Sequence, residues 1–170
     1  MGAGATFKGA GETRIGGLCH HWRAPCLTSR KGEPMFSHII LGARDVETMA
    51  AFYDAVLAPL GLVRAEVEDD GGPAGMMWTL PGRRWPQFFI QLPFNGLPAT
   101  WGNGTQVSFA APSKAAVDAG WQAAMAHGGT DEGRPGLRPH YDRDYYGAYC
   151  RDPEGNKLCF VHAGEMEALF

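Results

Sequence analysis

The sequence predicts an α+β fold made of two βαβββ modules. Three observations predict it: an alternating strand that runs into an amphipathic helix at residues 36–61, the return of that unit 68 positions later, and three further short apolar stretches after each helix.

The first unit starts at Phe36-Ser-His-Ile-Ile-Leu41, where Ser37, Ile39 and Leu41 alternate with Phe36, His38 and Ile40. A strand with this pattern has two different faces, and His38 lies on the face opposite Ile39 and Leu41. Asp45 is placed to cap the helix, because its carboxylate accepts from free amides of the first turn and its charge suits a helix N-terminus. Val46, Met49, Ala50, Tyr53, Val56, Leu57 and Leu60 follow at three- and four-residue steps as one apolar helix face, and Gly61 is free to take a left-handed C-terminal cap. Leu62 to Asp69 then reads as a strand and Asp70-Gly-Gly-Pro73 as a turn. Met76–Leu80 and Gln87–Leu92 complete the first set, separated by Pro81-Gly-Arg-Arg-Trp-Pro86.

A linker rich in proline and glycine, residues 93–103, leads to the echo. His38 maps to Gln106, Asp45 to Ser113, Tyr53 to Trp121 and Gly61 to Gly129, each at an offset of 68. A constant offset across strand, cap, helix and stop is an internal repeat. The second helix runs from Ser113 through Val117, Trp121, Ala124 and Met125 to Gly128-Gly129. Then come a short strand near Thr130, a long loop through Arg134–Tyr141, and a strand at Tyr145–Arg151. Asp152-Pro-Glu-Gly155 has the proline and glycine places of a type I turn, and Asn156–His162 returns as the last strand. The modules therefore span residues 35–94 and 103–162 of a single domain at 35–162, with residues 163–170 as a C-terminal tail.

Residues 1–34 read as a tail or appended leader, rich in glycine and without apolar periodicity, and Met35 stands directly before the first strand. Cys19, His20, His21 and Cys26 lack the paired spacing of a zinc finger. This segment holds five basic and two acidic residues, +3, so the formal −3 of the chain leaves −6 on the remainder. A body of that sign is unsuited to nucleic acid or an anionic membrane. No apolar run is long enough for a membrane span. Only Cys150 and Cys159 fall in the domain, too few for a disulfide scaffold, so a cytoplasmic location is expected. No nucleotide cofactor is expected, because Gly102-x-Gly104 precedes a strand and not a helix.

Comparison of the strands face by face puts Ile39, Leu41, Phe88, Ile90, Leu92, Val107, Phe109, Leu158 and Phe160 on an apolar side suited to the helices. The other side carries His38, Ile40, Phe89, Gln91, Gln106, Ser108, Cys159 and Val161. Polar groups at equivalent places on one sheet face suit a concavity that holds a ligand or ion, since a closed core would have to pair each of them. His38 reads equally as a hydrogen-bonded sheet histidine, the two glutamines as hydrogen bonders and Cys159 as a small buried hydrophobe. His140, Tyr141, Tyr145, Tyr146 and Tyr149 cluster before the last turn and suit a pocket wall for an aromatic or extended substrate. If the 152–155 turn closes tightly, Asp152 faces Lys157 and Cys150 faces Cys159, both sums being 309, which makes the thiols a candidate disulfide or pair of soft ligands. A looser turn leaves them inert.

These residues resemble the vicinal oxygen chelate superfamily, which includes glyoxalase I, extradiol dioxygenases, and bleomycin and fosfomycin resistance proteins. The resemblance covers Met35 to about His162. It rests on the His38 strand followed by Asp45-Val-Glu and Phe52-Tyr53, the Gly61-Leu62 ending, Gly104-Thr-Gln-Val-Ser-Phe109, and Asp152-Pro-Glu-Gly-Asn-Lys-Leu-Cys159. It implies paired modules in a curved mixed sheet around a divalent metal, with ligands at His38, Gln91, Gln106 and Cys159. The family's usual second-module ligands are His and Glu, where this chain has Gln106 and Cys159, and Gln91 stands where Glu is frequent. A Cys159 thiolate would favour zinc; without it Mn, Ni or Fe is expected.

Two functions follow from the resemblance. One is a metal-dependent small-molecule enzyme of lyase, isomerase or dioxygenase type. The other is a metal-free binding protein of the bleomycin-resistance kind. In either, Phe89, Ser108, His140, Tyr146 and Tyr149 are the expected substrate contacts. A homodimer is expected as well, with the linker residues Leu97 and Trp101 suited to the contact.

Overall fold

A computed structural model describes residues 36–67 and 71–169. The expectations for residues 1–34, the far end of the second strand at 68–69, and Asp70 lie outside the described residues.

Among the described residues, eight strands and two helices follow in the order β1 (His38–Gly42), α1 (Val46–Leu57), β2 (Val63–Ala65), β3 (Gly75–Thr79), β4 (Gln87–Gln91), β5 (Gln106–Ala110), α2 (Lys114–Ala126), β6 (Thr130–Leu137), β7 (Tyr146–Arg151) and β8 (Lys157–His162). Short 3-10 turns follow at Ala58–Leu60 and Gly164–Leu169. The N-caps are those expected. The Thr48 amide donates to the Asp45 carboxylate at 3.0 Å and the Ala116 amide to the Ser113 hydroxyl at 3.1 Å. Gly61 closes the first helical unit with φ 83°. The second helix ends through Gly128, at φ 89°, rather than the Gly129 that the offset selects, and Gly129 instead donates to Ala124 O at 2.8 Å. Beyond it, what was expected to be mostly loop is the eight-residue strand β6, irregular in register at Asp131/Gly133 and at Gly133/Gly136.

The strands form two four-stranded mixed sheets, in the orders β1-β4-β3-β2 and β5-β8-β7-β6. In each, the first strand runs parallel to the last, and the other pairs are antiparallel. One face of each sheet, with both helices, enters a single core that includes Trp78, Phe88, Phe109, Leu158 and Phe160. The Phe88 and Phe109 rings meet edge to face at 5.1 Å, joining the modules. Helix α2 lies between α1 and its own sheet, and Gly120 permits the approach: a β-carbon there would stand 3.4 Å from Val56 O and 3.6 Å from the Phe160 ring.

The β7–β8 turn also crosses between modules. The buried Asp152 accepts from the Tyr53 hydroxyl at 2.8 Å, and the Glu154 carboxylate accepts from the Arg44 and Asp45 amides at 2.8–2.9 Å, directly ahead of α1. Asp152 further accepts from the amides of Glu154 and Asn156 and from the Asn156 side chain, so none of its oxygens is left without a donor.

Candidate functional site

Register decides which side chains meet. In the second module Gln106 is level with Lys157 and Ser108 with Cys159, so Gln106, Ser108 and Cys159 share the face turned away from the helices. Tyr149 is level with Cys159 across the antiparallel β7–β8 pair and joins them. Tyr145, four residues before it, holds its hydroxyl 3.6 Å from the Cys159 sulfur. Gln106 donates through Nε2 to the Ser108 hydroxyl at 3.0 Å.

This face, with the loop after β6 and the turn after β8, borders an open cavity of about 690 Å3 lined by Gln106, Tyr141, Asp142, Tyr145, Tyr149, Ala163, Glu165 and Met166. Burial pushes the Cys159 thiol and the Tyr145 and Tyr149 hydroxyls above their ordinary ranges, so all three stay protonated at neutral pH. The wall is therefore a set of neutral hydroxyl and amide groups over aromatic rings, with carboxylates at Asp142 and Glu165.

Four expectations require correction. Tyr146 does not line this cavity: β7 alternation turns it to the helix side, where its hydroxyl donates to Asp118 of α2 at 2.8 Å. Cys150 does not oppose Cys159. Arg151 pairs with Lys157 and Cys150 with Leu158, and this shift of one residue sends the Cys150 side chain into the core; both thiols are free. Gln91 does not accompany His38. His38 is level with Gln87 and Gln91 with Gly42, four residues on, or about 13 Å along the strand. The partner offset is 49 in the first module and 51 in the second, so the place matching Cys159 is held by Phe89. Lastly, no residue of the first module lines the cavity that contains Gln106, so His38 and Phe89 sit apart from it.

On the first module's open face, the exposed His38 takes a hydrogen bond between its Nδ1 and the Ser37 hydroxyl, at 3.0 Å, and stands edge-on to Phe89 with ring centres 6.3 Å apart. His140, on the exposed loop, packs its ring 4.1 Å from that of Tyr141 and is not part of the cavity wall. Tyr145 was within reach of sequence reasoning, since strand parity groups it with Tyr149 and separates both from Tyr146. Asp142 and Glu165 carried no such signal, because loop and turn geometry brings them in.

Two modules of this topology, joined back to back through their helices, define a class, and the family follows from comparison. The chain matches the model of the glyoxalase/bleomycin resistance protein/dioxygenase superfamily over residues 35–160, and it belongs to that superfamily. A glyoxalase/bleomycin resistance protein from Albidiferax ferrireducens T118 is 40% identical, with a TM-score of 0.65 over 76% of this chain and 99% of that one. Two further structures share the fold. A family enzyme from Burkholderia phytofirmans PsJN is 22% identical, with a TM-score of 0.56 over 74% of this chain and 96% of that one. A lactoylglutathione lyase from Agrobacterium tumefaciens is also 22% identical, with a TM-score of 0.51 over 77% and 95%. No curated protein matches the chain.

Divalent metals are common in the superfamily. The donors of one chain do not fit such an ion. Among the described residues no three His, Cys, Asp or Glu side chains converge. Of the expected set, Gln106 is uncharged, Cys159 is held as a thiol, Gln91 is displaced along β4, and His38 lies outside the cavity. A divalent cation needs several oxygen, nitrogen or thiolate donors, some of them anionic, within about 2–2.6 Å.

Proposed function

We propose that this protein is a metal-independent small-molecule binding member of the superfamily, of the bleomycin-resistance kind, with the tyrosine-lined cavity of the second module as its ligand site. The observation that carries this is the cavity's lining. Neutral phenols and an amide over aromatic surface are groups that hold a ligand by stacking and hydrogen bonds. Gln106, Tyr141 and Tyr145 make the principal contacts, with Ser108 fixing the Gln106 amide.

The protein acts as a homodimer in the cytoplasm. The first module's open side supports the dimer, since Phe36, Ile40 and Trp85 are all more than 40% exposed there, as are Leu97 and Trp101 on the linker. Two free thiols are in keeping with a reducing compartment. No helix among the described residues is long and apolar enough to cross a membrane.

The test is a ligand screen by thermal shift on full-length protein purified without a metal-chelating tag, repeated after chelator treatment, with metal content measured alongside. Stabilising compounds are expected to act equally before and after chelation and to lose their effect in Tyr145→Leu. If stoichiometric metal co-purifies and its removal abolishes binding, the metal-dependent enzyme takes this reading's place.

A further inference from the structure

We propose that the cavity of the second module selects an organic cation, a small molecule that carries a protonated amine or quaternary ammonium beside an apolar body. This rests on the cavity being a ligand site, and it names the chemistry that site would take. The Tyr141 and Tyr145 rings stand 5.1 Å apart at 57°, which makes a corner of two π systems. Asp142 and Glu165 bring carboxylates to the same wall, and no lysine or arginine lines it. A ring face attracts a cation through its quadrupole, and a nearby carboxylate adds Coulomb attraction; both oppose an anion.

Two of the cations nearby, Arg138 and Lys157, are already engaged. Arg138 lies 5.7 Å from the Tyr149 ring centre and donates to the carbonyls of Leu137 and Arg134. Lys157 lies 5.8 Å from the same ring and is paired with Glu132 at 3.1 Å. Tyr149 is thus the end of the cavity occupied by the protein's own charges, and the Tyr141–Tyr145 corner, flanked by Asp142 and Glu165, is the end left to a ligand. The remaining acidic residue of that loop, Asp144, is spent on the Gly164 amide at 2.7 Å, and this bond ties the loop to the turn that carries Glu165. Residues 35–170 carry −6 overall, so the long-range field also draws cations.

The experiment compares three probes of similar size by calorimetry and by NMR of the tyrosine rings, on the full chain: benzyltrimethylammonium, benzyl alcohol and benzoate. The ammonium is expected to bind about tenfold tighter than the alcohol, and benzoate weakest, as a cation–π contact with a carboxylate neighbour allows. Asp142→Asn with Glu165→Gln, both at solvent-facing positions that leave the core intact, should cut that preference about fivefold while the alcohol's affinity stays put. If the alcohol or benzoate binds as tightly as the ammonium, with shifts at Tyr141 and Tyr145, the cation preference is overturned and the cavity remains a ligand site. If none of the three perturbs those rings, both readings fall.

Discussion

Tyr53 and Asp152 show how one buried polar pair joins two halves. The carboxyl is withdrawn from water, which pushes its pKa up, while four donors, Tyr53 among them, offset that cost. Tyr53→Phe keeps the ring and removes one donor, and is expected to lower the unfolding free energy by about 1–2 kcal/mol in a denaturant titration. The cysteines give a second expectation. Burial pushes Cys150 up to about 12, and Cys159 above its ordinary value, so neither thiol should react with a thiol reagent in the native state at pH 8, and both should in denaturant. Mild oxidation should form no disulfide between Cys150 and Cys159, as read by peptide mapping. The parity error behind the opposite expectation came from the turn. Asp152 N bonds to Asn156 O at 3.0 Å, so paired residues sum to 308 and not 309, and a one-residue slip exchanges the faces.

Elements were legible where their signals are local. A cap, an apolar stripe and a stop glycine lie within about sixteen residues, which is why α1 and α2 came out with their N-capping residues right. Ser113→Ala should cost about 0.5–2 kcal/mol, and α2 should show it first as faster amide exchange in its N-terminal turn. Strand register is another matter, because it depends on how β4 slides past β1, and nothing within either strand states it. The 68-residue echo therefore held for β1 and β5 but misaligned β4 with β8 by two places, carrying Gln91 into a ligand set it does not join. The wall supplied by Asp142 and Glu165 was equally hidden, since its position comes from a loop and a turn with no period to read.

At the scale of the whole molecule, one core serves both modules. Phe160 on β8 is fully buried, stacked with Phe109 and close to α2 at Gly120. Phe160→Ala should cost about 3–5 kcal/mol and lower a single unfolding transition, with probes in the first and second modules losing structure together; two separated transitions would show the halves to be independent. The grip of the β7–β8 turn on the start of α1 has a different consequence. It is one-way: Glu154 reaches the amides of Arg44 and Asp45, whereas the corresponding stretch of the first half, Leu80-Pro-Gly-Arg-Arg-Trp-Pro86, has no acid to offer α2. Two copies of the first half would lack the acid at this point, and two copies of the second would lack the leading amide, because Pro112 stands where Arg44 does and has no N–H to donate. The duplication has become directional, and halves expressed as separate chains would recognise each other as unlike partners in preference to like ones.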